Sequence, residues 1–279
     1  MVMGPTHAMS GAAISLGAIS LYTINVAPIH PTVAVLGTVM AAGAALAPDI
    51  DSRQSTVVRS FGIFGVGLYH IANSLSVAVY NLTKTRKDEA KTNGHRTLFH
   101  TSVMAIIMGG LAALLTSPTN IITVFDHDYT LGQFNAIILM AIFLNLSFAG
   151  LLEKQIKKAR RQFGPYLLML VSLVGAFLIA MFIPQPEAGA DGNTFAYLGI
   201  AVGVGWFIHL LGDGITKMGV PMAWPVKLNG KRWYDVALPW FMRISAGGKF
   251  EYAILLPVLT IATVGLFVYN CLLYAGVFK

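Results

Sequence analysis

Polar positions along this chain come in short bursts between long apolar runs. The runs show neither the strict alternation of half-buried strands nor the polar stripe of surface helices. Runs of roughly 17 to 25 residues that are apolar all round read as helices spanning a bilayer. Such spans are predicted at 10–27, 32–47, 98–116, 133–152, 165–184, 195–211 and 253–276. A further stretch at 61–82, "FGIFGVGLYHIANSLSVAVYNL", is interrupted by Gly62, Gly65, Gly67, Asn73 and Ser74. Arg53 and Arg59 precede it, and Lys84, Arg86, Lys87 and Lys91 follow. Positive charge at both ends suits a segment that enters and returns, or lies at the surface, better than one that crosses. The expected fold is all-α: a polytopic transmembrane helical bundle of about seven spans plus a re-entrant or interfacial segment near 61–82. It forms a single integral membrane domain over residues 1–279.

Composition agrees with this pattern. Of 279 residues, 56% are hydrophobic and 11% charged, and the mean hydropathy is +0.68, which excludes an ordinary soluble domain. The net charge of +7 does not point to nucleic acid, because it sorts by membrane side. Every Lys and Arg except Lys279 falls in 48–97, 153–162 or 212–250, whereas the opposite loops hold Asp126, Asp128, Glu187 and Asp191. The positive-inside rule makes the basic side cytoplasmic, with linkers near 83–94, 153–162 and 212–250, the N-terminus inside and the C-terminus outside. The opening "MVMGPTHAMSG" lacks a basic n-region and a small-residue cleavage site, so it reads as the start of a helix and not as a signal peptide. The lone Cys271 lies in the last span and reads as packing.

Candidate chemistry gathers at the cytoplasmic ends of the spans. His7 opens the first span; Asp49 and Asp51 close the second in "APDIDSR"; His95 and His100 open the third in "HRTLFHT"; His209 and Asp213 end the sixth. His209 and Asp213 are four apart, about 40° around a helix, so both can face one ion. His95 and His100 are five apart, about 140° on a regular helix, and converge only if His95 precedes the first turn. Gly94 permits that. Ionisable groups at membrane depth are costly and mark functional sites. Four imidazoles and three carboxylates exceed the needs of one tetrahedral ion and suit a centre of two divalent ions, zinc or else manganese or iron. The chemistry expected of such a centre is metal-assisted hydrolysis, with Asp51 or Asp213 as base and Arg96 clamping an anionic group. Thr216 and Lys217 are weaker candidates beside it. His30, His127 and the "DHD" at 126–128 fall on the outer side, and His70 falls in the ambiguous segment. "KRWYDVALPWFMR" at 231–243 reads as an interfacial helix or a lid over the site.

The order His7, "PDID", "HRTLFH", then "HLLGDGITKMGVPMAWP" resembles the LexA-regulated, membrane-bound metal-dependent hydrolases, the YdjM-type inner membrane proteins. The matching positions are His7, Asp49, Asp51, His95, Arg96, His100, His209, Asp213, Thr216, Gly219 and Pro225. The resemblance implies a hydrolase with bound metal at the inner face of a bacterial membrane. Thr97 and Phe99 stand where the family pattern has smaller or more polar residues, and Phe99 is expected to narrow the pocket or touch a lipid tail. A site at this level meets ester or phosphoester bonds of a lipid or lipid-linked substrate. Two rival readings use the same ligands: passage of a divalent ion, and a metal that only staples helix ends.

Overall fold

The computed structural model describes residues 3–277 apart from 28, 92, 118–120, 125–126, 153–154, 157, 159–162, 165 and 183–195. The basic segment at 153–162 and the acidic Asp126, Glu187 and Asp191 therefore lie largely or wholly outside the described residues. Helix α1 (Gly4–Asn25) is followed by α2 (Pro31–Ala44), a 3-10 turn (Ala47–Asp51), α3 (Thr56–Ser60), α4 (Gly62–Thr83), a second 3-10 turn (Leu98–His100) and α5 (Ser102–Thr116). A short antiparallel hairpin, β1 (Ile121–Val124) with β2 (His127–Thr130), leads into α6 (Leu131–Leu151). Then come α7 (Tyr166–Phe182), α8 (Ala196–Gly214), a 3-10 turn (Trp240–Met242) and α9 (Leu256–Tyr274), the last entered through a π-helical turn (Glu251–Leu255). The described residues form an all-α bundle with this one small hairpin. Six of its helical segments are long and apolar enough to cross a membrane, and α5 and α7 are shorter apolar helices.

Helix α2 is the axis of the bundle, packing on α1, α6 and α8, and α8 in turn packs on α5. Small residues make this possible. Between helices in lipid there is little hydrophobic gain, so close backbone approach supplies the contact energy. A Cβ on Gly43 would stand 2.2 Å from the Phe143 carbonyl oxygen, one on Gly205 2.3 Å from that of Ala41, and one on Gly11 2.6 Å from the same Ala41 oxygen. Ala41, Ala42, Ala44 and Ala45 are fully buried between these partners. Helices α7 and α9 sit outside, on α6 and α1, and present Leu170, Val174, Phe177, Ile261, Val264 and Val268 outward, as lipid-facing helices do.

Two readings are narrowed. Of the re-entrant and interfacial alternatives for 61–82, the first falls away: Gly62–Thr83 is one unbroken helix of 22 residues, because its glycines lie where α4 meets neighbours or open space. Gly65 fits against the Val58 backbone, and nothing approaches Gly67 within 4 Å. Segment 231–243 is not an interfacial helix. It runs through isolated bridges, Val220 with Val236 and Leu228 with Lys231, to a single exposed 3-10 turn. Burial of Trp233 against Tyr80 (5.3 Å) and Trp224 (5.2 Å) fixes this path.

The glycine contacts give a paired test. Gly43→Ala or Gly205→Ala should cost on the order of 1–3 kcal/mol by overpacking and lower the unfolding temperature in detergent. Gly67→Ala should be neutral or stabilise by up to about 1 kcal/mol.

Candidate metal centre

Each ligand is delivered by a local feature of the chain. Pro48 removes a backbone donor and ends α2, and the chain tightens into the 3-10 turn that carries Asp49 and Asp51 inward. Helix α5 starts only at Ser102, with Thr101 Oγ1 accepting from the Met104 amide (3.2 Å), so His95 and His100 both precede it. Their rings lie 5.4 Å apart, as the reading of Gly94 requires. That glycine is wedged against α4, where a Cβ would fall 2.6 Å from Ser76 Cβ, and its amide donates to Asn73 Oδ1 at 2.9 Å. Arg96 holds a left-handed backbone conformation, φ 55°, which is rare for a non-glycine residue and concentrates at functional sites. His7 sits in the first turn of α1, against the end of α8. Gly212 makes room for it, since a Cβ there would lie 2.9 Å from both His7 Cε1 and Nδ1.

The ligand candidates converge. Two groups could each hold an ion: Asp49, Asp51, His95 and His100; and His7, His209 and Asp213. The groups adjoin one another. His100 Nε2 stands 3.3 Å from His209 Nε2, 3.5 Å from Asp49 Oδ1 and 3.8 Å from Asp213 Oδ2. His209 Nε2 is 3.7 Å from Asp49 Oδ1 and 3.8 Å from Asp213 Oδ2. Most of these separations are too long for good hydrogen bonds. They are close to what one cation imposes: ligand atoms about 2.0–2.2 Å from a tetrahedral ion stand roughly 3.3–3.6 Å from each other. His7 Nε2 extends the set, 3.4 Å from Asp213 Oδ1, with its ring stacked on His209 at 4.0 Å.

The surrounding groups orient these ligands. His209 Nδ1 lies 2.8 Å from the Ala45 carbonyl oxygen, which can only accept, so Nδ1 carries the proton and Nε2 offers its lone pair to the centre. Asp51 stands behind two imidazoles, its Oδ1 2.8 Å from His95 Nδ1 and its Oδ2 3.3 Å from His100 Nδ1. Arg96 reaches Asp213 Oδ2 at 3.1 Å and donates to the Gly219 carbonyl at 3.0 Å. Thr216 Oγ1 donates to the Asp213 carbonyl at 2.7 Å.

Electrostatics favour an added cation. His7, Asp51, His100, His209 and Asp213 are each 1% exposed or less. Asp49 Oδ1 and both His7 ring nitrogens have no hydrogen-bond partner among the described residues, a costly condition for buried polar atoms. His100 lies between two of the carboxylates, its Nδ1 3.3 Å from Asp51 Oδ2 and its Nε2 3.5 Å from Asp49 Oδ1, a setting that a divalent ion would serve as well as a proton. The residues present therefore fit a metal. A cavity of about 650 Å³ opens onto the centre at Asp49, His95 and Arg96, with Met3, Leu46 and Val57 on its apolar side.

Other expected residues lie elsewhere. Phe99 does not line the cavity: it is 8% exposed, its ring lies 6.1 Å from Trp206, and its carbonyl accepts from Trp206 Nε1 at 2.8 Å. Lys217 is exposed, and its carbonyl accepts from Arg243. His30 caps α2 through the Thr32 amide, and His70 is exposed on α4. Sequence reasoning missed the Ala45 carbonyl, Asn73 and Gly212. Only Gly212 left a signal, as the small residue beside Asp213.

Gly212→Ala should push His7 out of line without removing any ligand. Apparent affinity for zinc or manganese, measured by competition with a fluorescent chelator, is expected to fall roughly 10–100-fold, the usual cost of disturbing ligand orientation.

No curated protein and no solved structure matches the chain. The family of YdjM inner membrane proteins matches residues 1–153, which include His7, Asp49, Asp51, His95, Arg96 and His100. His209 and Asp213 lie beyond the matched part and complete the same cluster in space. With more than half of its length matched, an apolar helical bundle and a His/Asp centre at the helix ends, the chain belongs to the YdjM inner membrane protein family.

Proposed function

We propose that this protein is a membrane-bound, metal-dependent hydrolase acting on an ester or phosphoester bond of a lipid or lipid-linked substrate. The observation that carries the reading is the cluster of His100, His209, Asp49 and Asp213 atoms at ion-sharing separations beside an accessible cavity. His7, His209 and Asp213 would hold one divalent ion, and Asp49, Asp51, His95 and His100 would hold a second at the cavity wall, the two groups meeting at His100 and His209. Zinc, manganese and iron all suit this mixture of nitrogen and oxygen donors. When bound, such ions would supply Lewis acidity, enough to bring the pKa of a water to about 7 and to offset charge on a departing oxygen.

The chain's own residues do the rest. Arg96 fixes Asp213 from behind, so its guanidinium serves the centre before any substrate arrives. Asp51 sets both His95 and His100. The cavity wall combines Met3, Leu46, Val57 and Met218 with Asp49, His95 and Arg96. That mixture suits a substrate with an apolar part beside an anionic or ester group, which is the support for the lipid assignment. The basic loops support a cytoplasmic placement of this face in a bacterial inner membrane.

Passage of an ion is the second reading. Asn145, in the middle of α6, is 1% exposed with no hydrogen-bond partner for either amide atom among the described residues. The neighbouring Ser147, however, donates to the Val39 carbonyl (2.7 Å), and no carboxylate lies mid-helix to continue a path.

Full-length protein purified in detergent should carry about two equivalents of transition metal. A His209→Ala, Asp213→Ala double variant should lose metal and all lipid hydrolysis, and His95→Ala should lose one equivalent. Unchanged hydrolysis in the double variant would refute the catalytic reading. Metal uptake into sealed vesicles without hydrolysis would favour passage.

A further inference from the structure

Helix α4 is the one long apolar helix whose principal packing partners are not the core helices. They are α3 and the two 3-10 turns that carry Asp49, Asp51 and His100. Its contacts stay on the site-bearing face from end to end. Near the start, Gly65 lies against the Val58 backbone of α3. In the middle, Asn73 holds the Gly94 amide, and Ala72 packs with Leu98 and Phe99. At the far end the Tyr80 hydroxyl donates to the Glu89 carbonyl, the Thr83 carbonyl accepts from Arg232 (2.8 Å), and Thr83 Oγ1 accepts from Trp233 Nε1 (3.1 Å). Those loops return to the centre through Lys91, whose Nζ donates to the Arg96 carbonyl (2.9 Å) and lies 3.7 Å from Asp235. A helix of 22 residues is about 33 Å long, the thickness of a hydrocarbon core. If α4 crossed, one end would stand on the opposite face from the centre. Both ends instead meet segments of one face.

The outward surface of α4 is ordered. Phe64, Leu68, Ile71, Leu75 and Leu82 are spaced by four, three, four and seven residues and form one apolar stripe, with Ile71 68% and Leu82 84% exposed. Gly65, Ala72, Ser76 and Tyr80 form the buried opposite side. Exposed cations flank both ends, Arg53 and Arg59 before and Lys84, Arg86 and Lys87 after. The stripe also continues a lipid-facing surface: the Phe64 ring lies 6.4 Å from Tyr166, where α7 begins with exposed Leu167, Leu170 and Val171.

We propose that α4 does not cross the bilayer but lies in its surface layer on the site-bearing face, with the Phe64–Leu82 stripe in the acyl chains and the flanking cations on anionic lipid headgroups. An apolar stripe with basic flanks is the composition of in-plane membrane helices, and cations at an anionic surface add electrostatic attraction to it. The proposal rests on the membrane character of the chain and is independent of the hydrolase reading.

The test is a depth scan of the full-length protein in vesicles of phosphatidylethanolamine with phosphatidylglycerol. In a Cys271→Ser background, nitroxides are attached one at a time at Phe64→Cys, Leu68→Cys, Ile71→Cys, Leu75→Cys and Leu82→Cys. Collision with oxygen and with a water-soluble nickel complex then gives each depth. All five labels should sit at one shallow depth, about 5–10 Å below the phosphates. Ile71 at the bilayer centre with Phe64 and Leu82 toward opposite surfaces would overturn the proposal in favour of a crossing helix. Full access of all five to the nickel complex would overturn it in favour of a water-facing surface.

Discussion

Three carboxylates buried at the ends of helices in a membrane protein are the constraint around which this structure is arranged. Asp49, Asp51 and Asp213 are 7%, 1% and 0% exposed, respectively. Burying an ionised carboxylate without compensation costs several kcal/mol even after relaxation, on the order of the whole net stability of a domain. Arg96 supplies one fixed cation, on Asp213. The imidazoles supply more only if they take protons, and His209 is turned by the Ala45 carbonyl so that an unprotonated nitrogen faces the centre. The charge remaining is what a divalent ion at this centre would offset.

Bringing such groups together needs more than apolar helices. Lipid tails are as apolar as leucine, so burying leucine between helices yields little association energy within a bilayer. Close backbone approach does the work instead. Gly11 and Gly205 meet Ala41, and Gly43 meets Phe143, within distances that no side chain could occupy. This small-residue axis leads directly into Pro48, where α2 stops and the two aspartates turn inward. Gly212 and Gly94 play the same part at the site itself, one leaving room for His7 and the other seating the His95–His100 segment on α4.

The residues that cluster at the centre were legible in the sequence because their chemistry is costly in lipid. A histidine or aspartate at a span end must be explained, and four motifs on one side give a shared explanation. The spans were legible for the same physical reason, since their apolar runs admit few other fates. What escaped was set by tertiary contact. Phe99 looks like a substrate-facing residue in "HRTLFHT", yet its neighbour in space is Trp206, more than a hundred residues away. Arg96 reads as a substrate clamp, and its guanidinium is held instead by Asp213 and the Gly219 carbonyl. Segment 231–243 has the composition of an interfacial helix, but Trp233 is fixed by Tyr80, Trp224 and Thr83, and helical geometry gives way to those contacts. The ends of α4 raised a question of charge that the sequence could pose; the contacts along its length were needed to address it.

The same arrangement would tie a bound metal to the fold. The candidate ligands come from four separate segments: the first turn of α1, the turn after α2, the loop before α5 and the end of α8. Without a cation, the carboxylates oppose the close approach that the glycines permit. With one, each segment gains a common partner, and the stabilisation follows mass action, about 4 kcal/mol at a thousand times the dissociation constant. The segments on α1 and α8 belong to long helices of the bundle, whereas those at 47–51 and 95–100 are 3-10 turns and loop packed against α4 and against each other. The turns at 47–51 and 95–100 also border the cavity at Asp49, His95 and Arg96, so packing on α4 sets these cavity-lining side chains before any ion does.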